Sequence, residues 1–281
     1  MAIVSCDEVV VACASHVDSP ARRACLLRQL HSLRAQTAPL RCFLSVSGDH
    51  APASYPEGVV VCREDDGRLS QFEHYKRLVL GPLTRVRWLM FVDDDDFCHP
   101  RRNQLYLEQI ARASECEHVY CRGAQLEVVG ADAHRLRYEE LEAVACSDRG
   151  RVTDGAREYY CFAVRVERMR SFLESIERVD PAAPKYSACD LLFRAYLSRL
   201  PCRVFEAQTW VYAKTMSPSV LDHASLELDF WAINVPWCKR VWERVMSDSI
   251  AVRPQGAVTI ADGPPGRAPR HDNVLRLRDE T

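Results

Sequence analysis

Trp88-Leu89-Met90-Phe91-Val92 runs without a break into Asp93-Asp94-Asp95-Asp96. A continuous apolar run of strand length marks a strand covered on both faces, and the carboxylates mark where it leaves the core. Four like charges there repel one another unless something positive sits among them. In an extended chain alternate side chains point the same way, so Asp93 and Asp95 are expected on one face and Asp94 and Asp96 on the other. A hard divalent cation with oxygen ligands relieves the repulsion and brings a diphosphate with it. The competing reading is a solvated acidic turn.

Upstream, Val9 to Ala14 is another apolar run rich in β-branched residues. After it, Ser15-His16-Val17-Asp18-Ser19-Pro20 reads as a loop in which Asp18 or Ser19 caps a helix opened by Pro20. Leu26, Leu27, Leu30 and Leu33 carry that helix. Cys42 to Val46 and Val59 to Cys62 read as strands, and Ser70 to Leu80 as a helix with Phe72, Tyr75, Leu78 and Val79 on one face. With a helix after Pro100, the order β-α-β-β-α-β-α predicts an α/β fold with a mostly parallel sheet. Its ligands bind at the carboxyl ends of the strands.

Downstream the pattern is less regular. His118 to Val129 and Glu158 to Val166 read as strands on either side of a polar, turn-rich stretch from 130 to 155. Arg168 to Ile176 and Ala188 to Leu200 read as helices, Cys202 to Tyr212 holds a strand, and Leu226 to Met246 holds amphipathic helix. The expected organisation is one domain over 1–250, with a donor half near 8–115 and an acceptor half near 116–250. The Pro-, Gly- and Arg-rich segment 251–281 is expected to be a mobile tail.

Phe91-Val92-Asp93-Asp94-Asp95-Asp96 resembles the DxD motif of GT-A glycosyltransferases, in particular those of the family 2 type. The likeness extends over roughly residues 8 to 220, with an N-terminal strand and loop and a helix ending in Ala35-Gln36-Thr37 similarly placed. It implies a GT-A (Rossmann-like) sheet flanked by helices, Mn²⁺ or Mg²⁺, and a nucleotide-sugar donor such as a UDP-sugar. The sugar, a hexose or pentose, passes to a hydroxyl of a glycan or similar acceptor. Asp93 is then placed toward the ribose, Asp95 on the metal, and Asp93 and Asp96 are further metal candidates, with Asp94 beside the donor. Ser15 and His16 would cup the base, Asp49 would touch it, and Arg68, Gln71 and His74 would face the diphosphate and sugar. Arg68 is also a fixed cation near that diphosphate.

Ser187-Ala188-Cys189-Asp190-Leu191-Leu192-Phe193-Arg194 resembles the segment in which such enzymes carry their general base. Asp190 matches the base, while Cys189 stands where a glutamate is usual. A carboxylate within hydrogen-bond reach of an alcohol takes its proton as the C–O bond forms, which implies inversion by a single displacement. The competing role for Asp190 is a helix N-cap. Lys214 and His223 fall where such enzymes carry a mobile loop: Lys214 would neutralise phosphate charge and His223 would be a third metal ligand.

Composition narrows the alternatives. The 281 residues are 47% hydrophobic and 27% charged, enough for a sizeable core without disulfides. The net charge of -2, from 37 basic and 39 acidic residues, is unlike that of a nucleic-acid binder working by phosphate neutralisation. Several of the thirteen cysteines, among them Cys13, Cys42, Cys161 and Cys189, lie in apolar stretches as small buried hydrophobes. Cys116, His118 and Cys121 lack the fourth ligand of a structural zinc site. Met1 to Glu8 carries acids where a signal peptide needs bases, and no apolar run approaches the roughly 20 residues of a membrane span, so a cytoplasmic location is expected. Three rival functions remain. A nucleotidyltransferase usually has a glycine-rich loop after the first strand, and Cys13-Ala14-Ser15-His16 has no glycine. A metal-dependent phosphohydrolase wants ligands from several strand ends. The third is a non-catalytic nucleotide-sugar-binding protein.

Overall fold

The computed structural model describes residues 8–64, 67–123, 125–129, 136–147, 150–153, 158–186, 188–207, 209–216, 236–245 and 260–261. The expected α/β architecture is present: a mostly parallel sheet with helices packed against it. The strands β1 (Val9–His16), β2 (Cys42–Ser47), β3 (Val59–Glu64) and β4 (Trp88–Asp93) take the order β3-β2-β1-β4, all parallel. Beyond β4 the sheet continues through β9 (Phe162–Arg165), antiparallel to both its neighbours, to β6 (His118–Arg122), β10 (Cys202–Glu206) and β12 (Ile260–Ala261). A smaller sheet has the order β5-β11-β7-β8, formed by Phe97–Cys98, Tyr212–Met216, Gln125–Val129 and Gly150–Thr153.

β1 is buried along its length, as its unbroken apolar sequence requires. Its chain leaves toward β2 on one side while β4 lies on the other, so the order reverses between β1 and β4. Open α/β sheets form their ligand crevice at the carboxyl ends around such a reversal. The register pairs Ala14 with Asp93 there. Two helices flank that edge, each started by its own sequence. α1 (Pro20–Arg34) has Ser19 as N-cap, its hydroxyl accepting from the Arg22 N–H, and Pro20 at the first turn. α2 (Gln71–Leu80) has a capping box between Ser70 and Glu73. The Gln36 amide after α1 donates to the His99 carbonyl and its oxygen accepts from Asn103 N–H. That clamp ties α1 to the start of α3 (Arg102–Ile110).

The second half departs from expectation in three places. His118 to Val129 is two strands, not one. Gly123 turns with φ +64, a conformation natural to glycine, and the halves enter different sheets. Glu158 to Val166 is only partly strand: Tyr159–Cys161 forms a 3-10 turn, then comes β9, and Val166 already opens the helix α5 (Val166–Val179). The stretch from 130 to 155 is not simply a loop, because it holds the helix α4 (Tyr138–Ala145) and β8. α6 (Cys189–Leu197) and the helix α7 at 236–245 follow as expected. Of the segment 251–281, Ile260 and Ala261 pair with β10; its other residues lie outside the described ones. Every cysteine among the described residues is a free thiol, and no helix among them is long and apolar enough to cross a membrane.

Gly48, at the end of β2, has φ +97, and a Cβ built there would run into the Val17 carbonyl. That carbonyl also accepts from His50 N–H, so neither backbone yields easily. Gly48→Ala should cost about 1–3 kcal/mol, the usual cost of such backbone strain. Chemical denaturation measures it, and an unchanged midpoint would show that the turn relaxes.

Candidate active site

β4 ends at Asp93, and Asp94 to Asp96 form a turn rather than more strand. The alternation survives as exposure: Asp94 and Asp96 are 3% and 2% exposed, while Asp93 and Asp95 are partly open. What sits among the carboxylates is arginine. Arg22, on the first turn of α1, reaches Asp94 at 3.1 Å and Asp95 at 2.7 Å. Arg28 donates to the Asp95 carbonyl at 2.7 Å. Ser15, at the end of β1, donates its hydroxyl to Asp94. Asp93 accepts from the Gln71 amide at 2.5 Å and from the Tyr159 hydroxyl, and its N–H donates to the Tyr212 hydroxyl at 2.8 Å.

Even so, the negative charge is not fully offset. Burial first, then Asp95, pushes the Asp93 carboxyl up. Burial raises Asp94 as well, although Arg22 opposes it. Lys214, on β11, lies 5.9 Å from the centre of the Tyr160 ring. Burial works to lower its pKa, but Glu158, Asp96, Asp93 and Asp95 outweigh burial and hold the ammonium above its ordinary value. One lysine is therefore within electrostatic reach of both the aspartate run and Glu158.

Glu158 leads to Asp190. It forms an ion pair with Arg194 at 3.6 Å, and Arg194 lies four residues, about one turn, after Asp190 on α6. Asp190 is in the first turn of that helix; Ala188 is the N-cap, so the expected alternative of an aspartate cap does not apply. The Asp190 carboxylate accepts from Leu191 N–H at 2.8 Å. Burial, then the neighbouring Glu158, pushes its pKa up to about 6.

The remaining residues expected at the site divide. His16 meets the Ser47 hydroxyl at 2.8 Å, and Ser47 and Ser45 bracket His74 at 3.3 and 2.7 Å. His74 is 1% exposed, and burial, then His16, lowers its pKa to about 4. It thus stands behind His16 instead of facing the crevice, because α2 turns that side onto β1 and β2. Asp49 and Arg68 are exposed, in the turn after β2 and the segment before α2; they are not among the described residues that touch the aspartates. His223 lies outside the described residues.

Arg22, Arg28, Tyr159, Tyr212 and Glu158 were not legible as site residues, with one exception. The first turn of α1 holds Arg22 and Arg23 and no acid, against the preference for negative charge at a helix N-terminus. An arginine there signals acids opposite. Among the described residues no three His, Cys, Asp or Glu side chains group as a metal-holding set.

No protein-family model matches the chain, and no curated protein is similar to it in sequence. Several solved structures of TarS from S. aureus are similar at a distance. One has a TM-score of 0.48 and 11% identity, covering 87% of this chain and 44% of that one. TarS 1–349 in complex with UDP has a TM-score of 0.48 and 13% identity over 76% of this chain and 62% of that one. The complex with UDP-GlcNAc has 0.47 and 11% over 74% and 58%. This chain thus spans less than half the length of the first. A likeness at these values says nothing of what this chain binds.

Proposed function

We propose that the protein is a glycosyltransferase that moves a sugar from a nucleotide-sugar, with UDP-sugars favoured, to an acceptor hydroxyl by a single displacement. The observation that carries the reading is the aspartate run at the carboxyl end of β4, beside the reversal of strand order, where Ser15, Gln71 and Tyr159 hydrogen-bond to Asp94 and Asp93 and Arg22 pairs with Asp94 and Asp95.

A divalent ion fits this site only in part. Carboxylate oxygens suit Mg²⁺ or Mn²⁺, and Mg²⁺ commonly uses one or two carboxylates, completing its shell with phosphates and water. Asp95, partly exposed though paired with Arg22, is the carboxylate such an ion would reach, with Asp93 beside it; Asp94 and Asp96 are buried, and His223, which would be a third ligand, lies outside the described residues. When bound, the ion would neutralise charge developing on the leaving diphosphate. The chain's own residues do the rest. Arg22 holds Asp94 and Asp95, and Lys214 offsets charge beside the departing nucleoside diphosphate. Ser15 and His16 line the base end. Asp190 accepts the proton of the acceptor hydroxyl as its oxygen bonds to the anomeric carbon and the bond to the diphosphate breaks.

Thermal shift with UDP or UDP-sugars tests the donor side. Ligand at a hundredfold over Kd adds about 2.7 kcal/mol, or roughly 5–10 °C in a domain of this size. The shift should be large in Mn²⁺ or Mg²⁺, far smaller in EDTA, and lost in Asp95→Ala. Equal shifts with and without metal would remove the ion and leave Arg22 and Lys214 as the diphosphate's partners. No shift with any nucleotide-sugar would sink the reading. Release of inorganic phosphate in place of sugar transfer would favour the phosphohydrolase.

A further inference from the structure

The Ser70 hydroxyl makes two hydrogen bonds that belong to different parts of the molecule. It accepts from the Glu73 N–H at 3.2 Å, which starts α2, and it donates to the Pro184 carbonyl, 114 residues away. A hydroxyl has one proton and two lone pairs, so it serves both partners at once. Pro184 lies in the 3-10 turn Ala183–Lys185, which packs against α2, α5 and α6. That turn leads into α6: the Tyr186 carbonyl accepts from Cys189 N–H at 3.1 Å, and the Ala188 carbonyl from Leu191 N–H at 3.1 Å. On the other side, the residue after Ser70 is Gln71, whose amide donates to Asp93 at 2.5 Å. Ser70 thus stands where the helix that holds Asp93 meets the segment that carries Asp190. We infer that Ser70 is a positioning residue: its bond to Pro184 sets the reach between the aspartates at the end of β4 and the base on α6. The inference rests on the reading of Asp190 as the base of a nucleotide-sugar transfer.

A second contact between α2 and α6 is apolar. Phe72, two residues after Ser70, meets Phe193 at 5.9 Å between ring centres, edge to face. Phe193 lies three residues after Asp190 on α6, the spacing of neighbours on a helix surface. Apolar burial is non-directional, so the ring contact holds the two helices together without fixing how one sits along the other. A hydrogen bond has a preferred length and angle and does fix it. Misplacing a reacting group by about 1 Å costs on the order of a hundredfold in rate, so one bond at this place is felt in turnover. A Ser70 that only starts α2 predicts otherwise, because turnover would then follow how well the residue caps a helix. Serine, threonine and glycine all cap better than alanine, but of these four only serine and threonine carry the hydroxyl.

Ser70→Gly, Ser70→Ala and Ser70→Thr separate the two roles. Ser70→Ala should melt roughly 1–3 °C below Ser70→Gly, because alanine caps poorly and glycine nearly as well as serine. Turnover is read as UDP released from UDP-glucose and UDP-N-acetylglucosamine, with water as the acceptor. It should fall about ten- to hundredfold in Ser70→Gly and Ser70→Ala alike and stay near normal in Ser70→Thr. The thermal shift given by UDP should be the same in all three. Normal turnover in Ser70→Gly would reduce Ser70 to a cap and overturn the inference, whatever Ser70→Ala does. So would a UDP shift that shrinks in step with turnover. Amide hydrogen exchange at Cys189 and Leu191 needs no substrate; it should quicken in Ser70→Gly and not in Ser70→Thr. Unchanged exchange in Ser70→Gly overturns the inference whether or not sugar is transferred. Quickened exchange in a protein that neither binds UDP nor splits UDP-sugars supports the tether and sinks the nucleotide-sugar reading instead, so the two failures are told apart.

Discussion

Asp190→Asn is expected to bind donor as tightly as the unaltered protein and to transfer sugar about 10²–10⁴-fold more slowly, the range for loss of a positioned acid–base group. Binding should survive because the Asp190 carboxylate accepts from Leu191 N–H, and the charges that act on it are those of Glu158 and Arg194, not of the aspartate run. Asparagine has nearly the same shape, and its side-chain oxygen still accepts from Leu191 N–H. Because burial raises the Asp190 pKa, its charge is a net cost to the fold at neutral pH, so the variant should be no less stable than the unaltered protein. The pH profile gives an independent check. With Asp190 raised to about 6, the carboxylate is protonated below that pH and cannot accept a proton, so transfer should fall about tenfold per unit there. Above pH 6 it should reach a plateau. In Asp190→Asn that acidic limb should vanish. Near-full turnover by the variant, measured by product formation at saturating donor, would refute the base assignment. So would a product that keeps the donor's anomeric configuration, since one displacement inverts it.

The N-terminal half was largely legible because its strands are buried on both faces and its helices are capped by sequence. Val9 to Ala14 and Trp88 to Val92 have no polar alternative to a central strand. Ser19-Pro20 and Ser70 with Glu73 mark helix starts by side-chain chemistry alone. The C-terminal half hides for equally physical reasons. His118 to Val129 has the composition of one long strand, and only Gly123 betrays the turn that sends its halves into separate sheets. Tyr159-Tyr160-Cys161 looks like strand, yet the hydroxyls of the two tyrosines find Asp93 and Gln125 when the backbone turns. Such partners lie far away in sequence, and no local pattern announces them.

The site shows the same division. Aspartates at a strand end were readable as a charge in need of compensation; the identity of the compensating groups was not. A metal ion was the expected solution, and Arg22 and Arg28 come from a helix some seventy residues earlier. Repulsion among the aspartates therefore no longer requires a bound cation, because Arg22 and Arg28 offset part of it. His74 illustrates a different limit. Periodicity places it on α2, but only the packing of α2 on β1 and β2 shows that its ring is buried between Ser45 and Ser47.

Phe91→Ala should lower stability by about 3–5 kcal/mol, the usual cost of emptying a buried aromatic site. That corresponds to roughly 6–20 °C in melting temperature at this chain length. Phe91 is fully buried one residue before the end of the apolar run. Its ring lies 5.1 Å from Tyr75 on α2, 5.9 Å from Tyr159 and 5.7 Å from Phe193 on α6, each edge to face. Those three neighbours carry different parts of the site: α2 brings Gln71, the Tyr159 turn brings the hydrogen bond to Asp93, and α6 brings Asp190. The rings meet on Phe91, so the cavity would loosen the donor carboxylates and the base together. Donor binding and transfer should both weaken in Phe91→Ala, unlike in Asp190→Asn, where only transfer falls. Phe91→Leu keeps most of the volume and should cost less than about 1.5 kcal/mol, with both functions near normal. Denaturant unfolding measures the stability, and donor titration with transfer assays measures the rest. If Phe91→Ala were destabilised as expected yet bound and transferred normally below its melting point, the two halves of the site would be held in register by something other than this aromatic cluster. The contacts of Arg102 with the Phe91 and Tyr160 carbonyls would be the next to remove.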